Sequence, residues 1–586
     1  MTTVSTQAPH LHMATTSLRV TRIIGWTLAL VVGALQAWAG RYPIGEDGLS
    51  YIDIADAYLR GDWHNAVSAY WSPMYSLVMA GALGVTQPGA FFESTVVHIT
   101  NFLLYVGALA AFEFLLRSLL IVHRQRSSEA ALQGDQRCPQ AALAAVGYGL
   151  FMWVSLEWIS VPLETPDMCL SILVYLATGL LLRIRQRPAA TVMFVALGGV
   201  LGLAYLTKSA MFPLSFAFLG LSRIVAGRTA GAWRRTAVAA AAFAIVALPF
   251  VAVLSTTKQR LTFGDTGKLA YVWFANGATD RELHWSYEFP DDRRPVHPTR
   301  KVFERPAIYE FGSDPVAGSY PVWYDPSYWH EGETPHFDLR GQLRVLRWSA
   351  GDIWHMLVDD TDFLIVAGVI LLATALTSWR ILRREVVDHA ELLLPAIAAG
   401  AMYSAVLFSP RYVAVFLLLF WLGVFASARL PGVPVARRFF WATAAGVLIM
   451  VALRLAPLTA TMIEEIRGQS NPGAHRFFEV AEGLKQLGAQ PGDRVARIGY
   501  GPPAYWARLA RVRIVAEMFS EEPDFPSVPD VDLAFENGIM KPEIVQAFAS
   551  TGARFVIAWK PPADVAQNGW TELGEHSQWF AYPVAP

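Results

Sequence analysis

The sequence predicts a mainly α-helical, polytopic membrane protein with about 11 transmembrane helices, an extracytoplasmic loop domain and a C-terminal soluble α/β domain. Three observations predict this fold class. Of the 586 residues, 54% are hydrophobic and only 16% are charged, a balance typical of membrane proteins. Apolar stretches long enough to span a bilayer recur through the first three quarters of the chain. From residue 468 onward, short apolar runs of strand type alternate with helical ones.

Eleven stretches are candidate transmembrane helices, because a span needs about 20 apolar residues. They are 23–40, 94–116, 141–160, 168–182, 189–206, 210–222, 236–255, 361–379, 391–408, 412–428 and 439–457. The stretches 168–182 and 210–222 are shorter than a span should be. The first stretch, preceded by Arg19 and Arg22, also fits a cleavable signal peptide, but the many spans that follow favour a retained helix.

Basic residues predict the orientation of these helices. With the N-terminus in the cytoplasm, the inner loops hold 19 arginines. The short outer loops hold only Arg41, Arg60, Lys208 and Arg411. This asymmetry follows the positive-inside rule. Residues 73–86 are apolar as well, but as a span they would reverse every later loop, so we expect a helix at the outer surface, with Trp71 and Tyr75 at the membrane interface. The expected location is a bacterial inner membrane, crossed many times.

The topology divides the chain into three parts. Residues 1–22 form a cytoplasmic tail, residues 23–460 a transmembrane domain, and residues 461–586 an extracytoplasmic α/β domain. The transmembrane domain includes the outer loop 41–93 and a large insertion, 256–360, on the same outer face. The insertion interleaves aromatic and polar residues, which suits a surface for sugars or lipid headgroups and equally suits a loop domain that packs its own rings.

Within the C-terminal domain the pattern predicts three strands and one helix. The strands are expected at 494–498, 513–516 and 554–559, and the helix at 504–509. The turn 499–503 contains two glycines, but they do not form a dinucleotide fingerprint, so no dinucleotide cofactor is inferred.

Charge and cysteine content narrow the function classes. The net charge of −1 gives no reason to expect nucleic acid as a partner. Cys138 and Cys169 cannot form a disulfide framework, and no Cys/His cluster with metal-ligand spacing is present in the sequence.

The stretch 41–63, directly after the first span, is acidic and aromatic. Its apolar residues Ile52, Ala55 and Leu59 fall three or four positions apart, which predicts a helix with one apolar face. We expect this helix to lie on the membrane surface, with Asp53 on the solvated face.

Ionisable residues from three distant parts of the chain are predicted to meet on the outer face. They are Glu46 and Asp47 after the first span, Lys208 after the fifth and Arg411 before the tenth. A carboxylate that faces two cations suits transfer of a group from a lipid phosphate. The carboxylate accepts a proton from the acceptor, and the cations hold the phosphate as negative charge develops. The neighbouring glycines, Gly45 and Gly48, allow the backbone to approach a ligand closely.

These residues also have simpler explanations. Asp47 fits a solvated acid that flanks a helix, and Lys208 fits a long side chain that extends to the membrane boundary. Glu164 and Asp167, in the loop before the fourth span, are acid candidates for an acceptor or a metal ion. They equally fit residues that cap the next helix.

Four stretches resemble sequence elements of the GT-C superfamily of polyprenyl-phosphate-dependent glycosyltransferases, which includes aminoarabinose and protein O-mannosyl transferases. They are Gly45-Glu-Asp47-Gly, Trp71-Ser-Pro-Met-Tyr75, Gly202-Leu-Ala-Tyr-Leu-Thr-Lys208 and Ser409-Pro-Arg411-Tyr412, in the family's order within residues 20–460. Two positions depart from the pattern: Gly48 stands where the family usually has a second acid, and Ser72 where it has a proline. Either Glu46 supplies the missing carboxylate or the chemistry differs.

The resemblance implies a GT-C type membrane glycosyltransferase that moves a sugar from a polyprenyl-phosphate donor to an extracytoplasmic lipid, glycan or protein acceptor. It implies Asp47 as general base, with Glu46 beside it, and Lys208 and Arg411 as contacts of the donor phosphate. Further contacts with the acceptor, the sugar or a metal ion are expected from Asp53, Glu164, Asp167, Trp71, Tyr75 and Tyr412. Members of the superfamily differ in their need for a divalent metal ion, so none is assigned.

The alternative is a non-catalytic protein of cell-envelope polysaccharide or lipid transport or assembly. A transporter is expected to carry several ionisable or helix-breaking residues at mid-bilayer. Here these residues gather at the outer boundary, which favours the enzyme.

Overall fold

The computed structural model describes residues 8–278, 300–311, 318–328, 333–359, 368–370, 374, 379–469, 475–499, 504–519, 531–537, 539–561, 568–575 and 577–584. Most of these residues are helical. The helices are α1 (Ala8–Ala39), α2 (Glu46–Arg60), α3 (Trp63–Ala66), α4 (Pro73–Thr86), α5 (Ala90–Leu132), α6 (Gln140–Trp153), α7 (Asp167–Gln186), α8 (Thr191–Thr207), α9 (Met211–Val225), α10 (Ala232–Thr257), α11 (Thr266–Phe274), α12 (Pro321–Tyr324), α13 (Leu339–Asp359), α14 (Trp379–Asp388), α15 (Ala390–Ser404), α16 (Pro410–Ser427), α17 (Pro434–Gly468), α18 (Arg476–Gln486), α19 (Tyr505–Ala510) and α20 (Pro542–Ser550). A π-helical turn, Val154–Ile159, continues α6.

Seven of the described helices are long and apolar enough to cross a membrane: the part of α1 from Thr16, α5, α6 with its π-helical turn, α7, α10, α16 and α17. Shorter apolar helices are α4, α8, α9 and α15. The protein is therefore a polytopic membrane protein by helix length and composition. Ten of the predicted spans fall on these helices, whereas 361–379 lies largely outside the described residues, so the count of eleven stays a prediction. Helix α7 has 20 residues and is longer than the stretch 168–182 indicates.

Helices α8 and α10 pack against each other at two glycines. A Cβ at Gly198 would lie 2.0 Å from the carbonyl oxygen of Ala239, and a Cβ at Gly202 would lie 2.5 Å from the Cβ of Val246. Small residues that let two backbones approach closely are typical of helix packing in membranes. This contact fixes the end of α8, where Lys208 follows the last helical residue.

The middle of α2 is buried in the protein. The helix begins after Gly45, whose backbone is extended, and ends at Gly61, whose φ of 70° is in the left-handed region that glycine adopts readily. An unbroken run of residues along the helix is buried, including Ile52 and Asp53, whereas Leu59 is 51% exposed. The prediction of a helix on the membrane surface is wrong. It assumed that Asp53 is solvated, whereas Asp53 is buried and paired in the structure.

Helix α4 packs on α2 and buries the two rings that we expected at the membrane interface. Trp71 is 5% exposed and Tyr75 is fully buried. Their ring centroids lie 5.0 Å and 5.1 Å from that of Tyr51. The Trp71 indole donates a hydrogen bond to the carbonyl of Tyr324 at 2.9 Å, and the Tyr75 hydroxyl donates one to Asn101 at 2.8 Å. The prediction that both rings face the membrane interface is wrong, because the rings are buried and their polar groups form hydrogen bonds inside the protein.

The described strands form three sheets. The strands are β1 (Asp135–Arg137), β2 (Arg300–Phe303), β3 (Ile308–Glu310), β4 (Arg429–Pro431), β5 (Arg494–Gly499), β6 (Arg513–Phe519), β7 (Phe535–Glu536), β8 (Ile539–Met540), β9 (Phe555–Trp559), β10 (Thr571–Glu572) and β11 (Trp579–Pro583). Strand β1 pairs with β4, and β7 pairs with β8. The other strands form one seven-stranded sheet in the order β10-β11-β9-β5-β6-β3-β2.

The large sheet joins two parts of the chain that the sequence separates. Strands β5, β6 and β9 confirm the three strands predicted in the C-terminal domain, and α19 confirms the helix between them. Strands β5 and β6 are parallel, and β3 pairs with β6 in the antiparallel sense. Because β2 and β3 come from the insertion 256–360, the insertion and the C-terminal domain share one sheet. The predicted turn 499–503 lies largely outside the described residues.

Candidate active site

Asp47 lies in the first turn of α2, where the helix dipole favours a carboxylate. The indole Nε1 of Trp323 donates a hydrogen bond to Oδ1 of Asp47 at 3.3 Å. The side chain is partly exposed, yet burial raises the pKa of Asp47, while the nearby Arg411 guanidinium and the Trp323 hydrogen bond oppose that rise. A carboxylate with a raised pKa and an open edge is suited to accept a proton.

Asp167 holds the two cations that the sequence assigns to a phosphate. Its Oδ1 lies 2.6 Å from Nζ of Lys208, and its Oδ2 lies 3.4 Å from Nε of Arg411. Asp167 is buried at the start of α7, where the helix dipole adds to the stabilisation of its charge. Two cations share this one carboxylate, so Asp167 alone balances only one of their two charges.

The two cations remain accessible. The Lys208 side chain is 17% exposed and the Arg411 side chain is 24% exposed. Nζ of Lys208 lies 3.8 Å from the ring centroid of Tyr412 and 5.9 Å from that of Tyr403, both distances at which a ring attracts a cation. The rings and Asp167 therefore hold the ammonium group in place, while part of the Lys208 side chain stays exposed.

Glu164 stands against the first turn of α2. Its Oε2 accepts a hydrogen bond from the backbone N–H of Gly45 at 3.2 Å, and its Oε1 lies 2.9 Å from Nε2 of His98. A Cβ at Gly48 would lie 2.6 Å from the Cβ of Glu164. The glycine at position 48 thus leaves room for a carboxylate that comes from a different loop.

His98 is surrounded by hydrogen-bond acceptors. Its Nδ1 lies 2.8 Å from the carbonyl oxygen of Ser94, and its Nε2 lies 3.1 Å from the carbonyl oxygen of Pro162 as well as close to Glu164. These contacts hold the imidazole ring between α5 and the loop before α7, and they place it against the Glu164 carboxylate.

Glu46 and Asp53 differ in their surroundings. Burial raises the pKa of Glu46, the negative charges of Asp47 and Glu164 raise it further, and Arg497 of the C-terminal domain opposes them. Asp53 lies seven residues after Glu46, farther along α2. Its carboxylate accepts hydrogen bonds from Ser319 and Arg508.

The structure brings one set of predicted residues together and places another set in packing contacts. The first set is Glu46, Asp47, Glu164, Asp167, Lys208, Arg411 and Tyr412. The second set is Asp53, Trp71 and Tyr75. The sequence reasoning did not connect Trp323 with Asp47, although the aromatic run from 323 onward is the signal that marks it. Among the described residues, no three His, Cys, Asp or Glu side chains are placed to hold a metal ion.

These features define a class of protein. It is a polytopic membrane protein in which Asp47 is within electrostatic range of Arg411, and Arg411 shares the carboxylate of Asp167 with Lys208. The three contributing helix ends share one side of the helix bundle, because α7 begins, α8 ends and α16 begins there. A soluble sheet domain packs over this side through Trp323 and Arg508.

No protein-family model and no curated protein matches this chain. Solved structures of ArnT from Cupriavidus metallidurans are similar to it at 15% identity over 96% of this chain and 98% of that one. The TM-score is 0.39 for the apo state and 0.40 for the complex with undecaprenyl phosphate. The Archaeoglobus fulgidus oligosaccharyltransferase, in complex with Zn and sulfate, is similar at 14% identity over 90% of this chain and 67% of that one, with a TM-score of 0.47.

The identities are below 25% and the TM-scores are below 0.5, so neither a superfamily nor a residue role is transferred from these structures to this chain.

Proposed function

We propose that this protein is a membrane glycosyltransferase that moves a sugar from a polyprenyl-phosphate donor to an extracytoplasmic acceptor. The acceptor class is a hydroxyl of a lipid, glycan or protein. The membrane is a bacterial inner membrane, with the N-terminus in the cytoplasm and the sheet domain outside it, as the distribution of arginines indicates.

One observation carries this proposal: the carboxylate of Asp47 is within electrostatic range of Arg411, which shares the carboxylate of Asp167 with Lys208. The Arg411 guanidinium opposes the rise that burial causes in the pKa of Asp47, which supports placing the proposed base and the proposed phosphate contacts in one group. Arginine and lysine are the side chains that bind phosphate oxygens best, and the carboxylate of Asp167 balances only one of their two charges.

The reaction follows from these positions. Asp47 accepts the proton of the acceptor hydroxyl, and the acceptor oxygen forms a bond to the anomeric carbon of the sugar. The bond between that carbon and the phosphate oxygen breaks, and its electron pair stays on the polyprenyl phosphate. Lys208 and Arg411 stabilise the charge that develops there. General-base catalysis contributes roughly 100- to 10,000-fold to the rate.

The test is release of polyprenyl phosphate by purified protein in detergent. The assay uses a panel of polyprenyl-phosphate sugars and an acceptor mixture, and compares the wild type with Asp47→Asn. A control variant, Asp352→Asn, changes an exposed acid on α13. We expect release by the wild type and the control, and a loss of roughly 100-fold or more in Asp47→Asn.

Two results contradict the proposal. If folded, membrane-inserted Asp47→Asn turns over donor at the wild-type rate, Asp47 is not the general base. Saturable binding of polyprenyl-phosphate lipids without release, in the presence of every acceptor fraction, favours the transport or assembly protein instead.

A further inference from the structure

The turn that carries Trp323 is bound at its start to the C-terminal domain. Ser319 donates two hydrogen bonds to Asp53, from its backbone N–H at 2.6 Å and from its hydroxyl at 3.1 Å. Tyr320 donates a hydrogen bond to Oε2 of Glu517 on β6 at 2.8 Å. Helix α12 starts at the next residue, so Trp323 follows these two contacts by one helical turn.

Arg508 on α19 is the residue that holds Asp53. Its Nη1 lies 2.7 Å from Oδ1 of Asp53 and 2.9 Å from Oδ2 of Asp56. It also binds both carboxylate oxygens of Glu93, through Nε at 2.8 Å and Nη2 at 3.0 Å. The arginine is buried, with 7% of its side chain exposed. One guanidinium therefore ties α2 and α5 to the sheet domain in the bidentate geometry that only arginine provides.

We propose that Arg508 is a positioning residue for the active site: by holding Asp53 it holds Ser319, and through the short helix α12 it sets the Trp323 indole against Asp47. This inference rests on the proposed function, because it assigns Asp47 the part of the base. The C-terminal domain then acts on the reaction without touching the substrate.

The other contacts of the turn support this path. The carbonyl of Tyr324 accepts the hydrogen bond from the buried Trp71 indole at 2.9 Å, which fixes the end of α12. Three links join the start of α12 to the sheet domain. Ser319 reaches Arg508 through Asp53, the Tyr320 hydroxyl donates to Glu517, and the Ser319 carbonyl accepts a hydrogen bond from the backbone N–H of Ile514 at 3.2 Å. Loss of Arg508 loosens the first link while the other two and the end of α12 stay in place, so α12 shifts on the side of Asp53 and Trp323 shifts with it.

The readout is the acid limb of the pH–rate profile for donor turnover. A general base works only when ionised, so activity falls as the pH drops through the pKa of Asp47. The Trp323 hydrogen bond lowers that pKa against the effect of burial, so its loss moves the limb to higher pH. The charged groups that also act on Asp47 are Glu46 on its own helix, Glu164 from the loop before α7, Asp167 on α7 and Arg411 on α16. None of these groups is changed by the variants below.

The experiment is a double-mutant cycle with Trp323→Phe and Arg508→Lys in the full-length protein, and it measures the pH–rate profile of donor turnover. We expect each single variant to move the acid limb to higher pH and to lower kcat by up to roughly 100-fold, since a misplaced catalytic contact has that cost. The KM for the donor should stay near that of the wild type, because Lys208 and Arg411 are unchanged. In the Trp323→Phe background, Arg508→Lys should produce no further movement of the limb.

A second variant keeps the test decisive if Arg508→Lys is unstable. Tyr320→Phe removes only the hydroxyl that contacts Glu517 and should move the limb in the same direction. A matched control is Arg554→Lys, since Arg554 makes an exposed ion pair with Asp493 at 2.7 Å in the same domain; its profile should be that of the wild type.

The outcomes separate this inference from the proposed function. Two results would give Arg508 a structural role and overturn the inference. In the first, Arg508→Lys lowers kcat but leaves the acid limb in place. In the second, Arg508→Lys moves the limb further in the Trp323→Phe background. An acid limb that depends on Asp47 but is unchanged in Arg508→Lys and Tyr320→Phe also overturns it and leaves the proposed function standing. Absence of donor turnover in the wild type overturns the proposed function itself.

Discussion

Nζ of Lys208 lies 2.6 Å from Oδ1 of Asp167. The second oxygen of the same carboxylate faces Arg411 at 3.4 Å. A buried carboxylate thus lines up two cations from helices that are far apart in the sequence, before any phosphate binds. Preorganised charges of this kind need little rearrangement when negative charge develops in the transition state.

Substitution Asp167→Asn is expected to destabilise the protein and to strengthen its response to lipid phosphate. Removal of one partner from a buried ion pair costs roughly 3–5 kcal/mol, because the remaining charges are left unpaired. Added polyprenyl phosphate supplies the missing negative charge and binds only the folded state. The melting temperature in detergent should therefore rise more on addition of this lipid in Asp167→Asn than in the wild type. The exposed control Asp352→Asn should respond as the wild type does, and an equal rise in all three proteins would contradict the assignment.

The acid limb of donor turnover should lie above the pH expected for an ordinary aspartate, because burial raises the pKa of Asp47. Arg411 opposes this rise, so Arg411→Gln should move the limb to still higher pH. The same variant should raise the KM for the donor, since it loses a phosphate contact. The measurement is kcat and KM from about pH 4 to about pH 8, with exposed Arg340→Gln as control. A limb that stays in place in Arg411→Gln would show that another group titrates.

The sequence predicts the parts of this protein whose order is local. Runs of about 20 apolar residues mark the long helices, and short alternating or apolar runs mark β5, β6 and β9. It also predicts that Asp47, Lys208 and Arg411 lie near each other, because short loops hold all three residues at one boundary.

Long-range pairing limits what the pattern reveals. Charge patterning treats Asp53 as solvated, whereas Arg508, 455 residues later, pairs with it and buries it. The sequence predicts a separate loop domain for the insertion, whereas its strand β3 pairs with β6 of the C-terminal domain. Nothing local in the sequence links Trp323 to Asp47, 276 residues apart, since this contact exists only once the sheet domain packs on the helices.

Gly48→Ala should lower both donor turnover and stability, because its Cβ would lie 2.6 Å from the Cβ of Glu164. Forcing an extra methyl into a packed site costs roughly 1–3 kcal/mol. Gly45→Ala is the matched control, since its Cβ would meet only Oε2 of Glu164, at an ordinary 3.5 Å, and its φ of −75° suits alanine. Melting temperature and donor turnover are measured for both variants. Equal effects at the two glycines would mean that the contact with Glu164 is unimportant.

Glu517 makes the stability of the protein depend on pH. Burial raises its pKa from 4.5 to about 7, with Arg497 and the Tyr320 hydroxyl opposing the rise. The unfolded chain ionises this group near 4.5, whereas the folded protein keeps it protonated until about 7. The wild type should therefore lose up to about 3 kcal/mol of stability as the pH rises between these values, and change little above them. Glu517→Gln has no ionisable group at this position and keeps an acceptor for Tyr320, so its melting temperature should fall less over the same range. If the melting temperatures of the two proteins change with pH to the same extent, Glu517 does not titrate between these pH values. A carboxyl group that stays charged over the whole range makes no contribution to the pH dependence of stability.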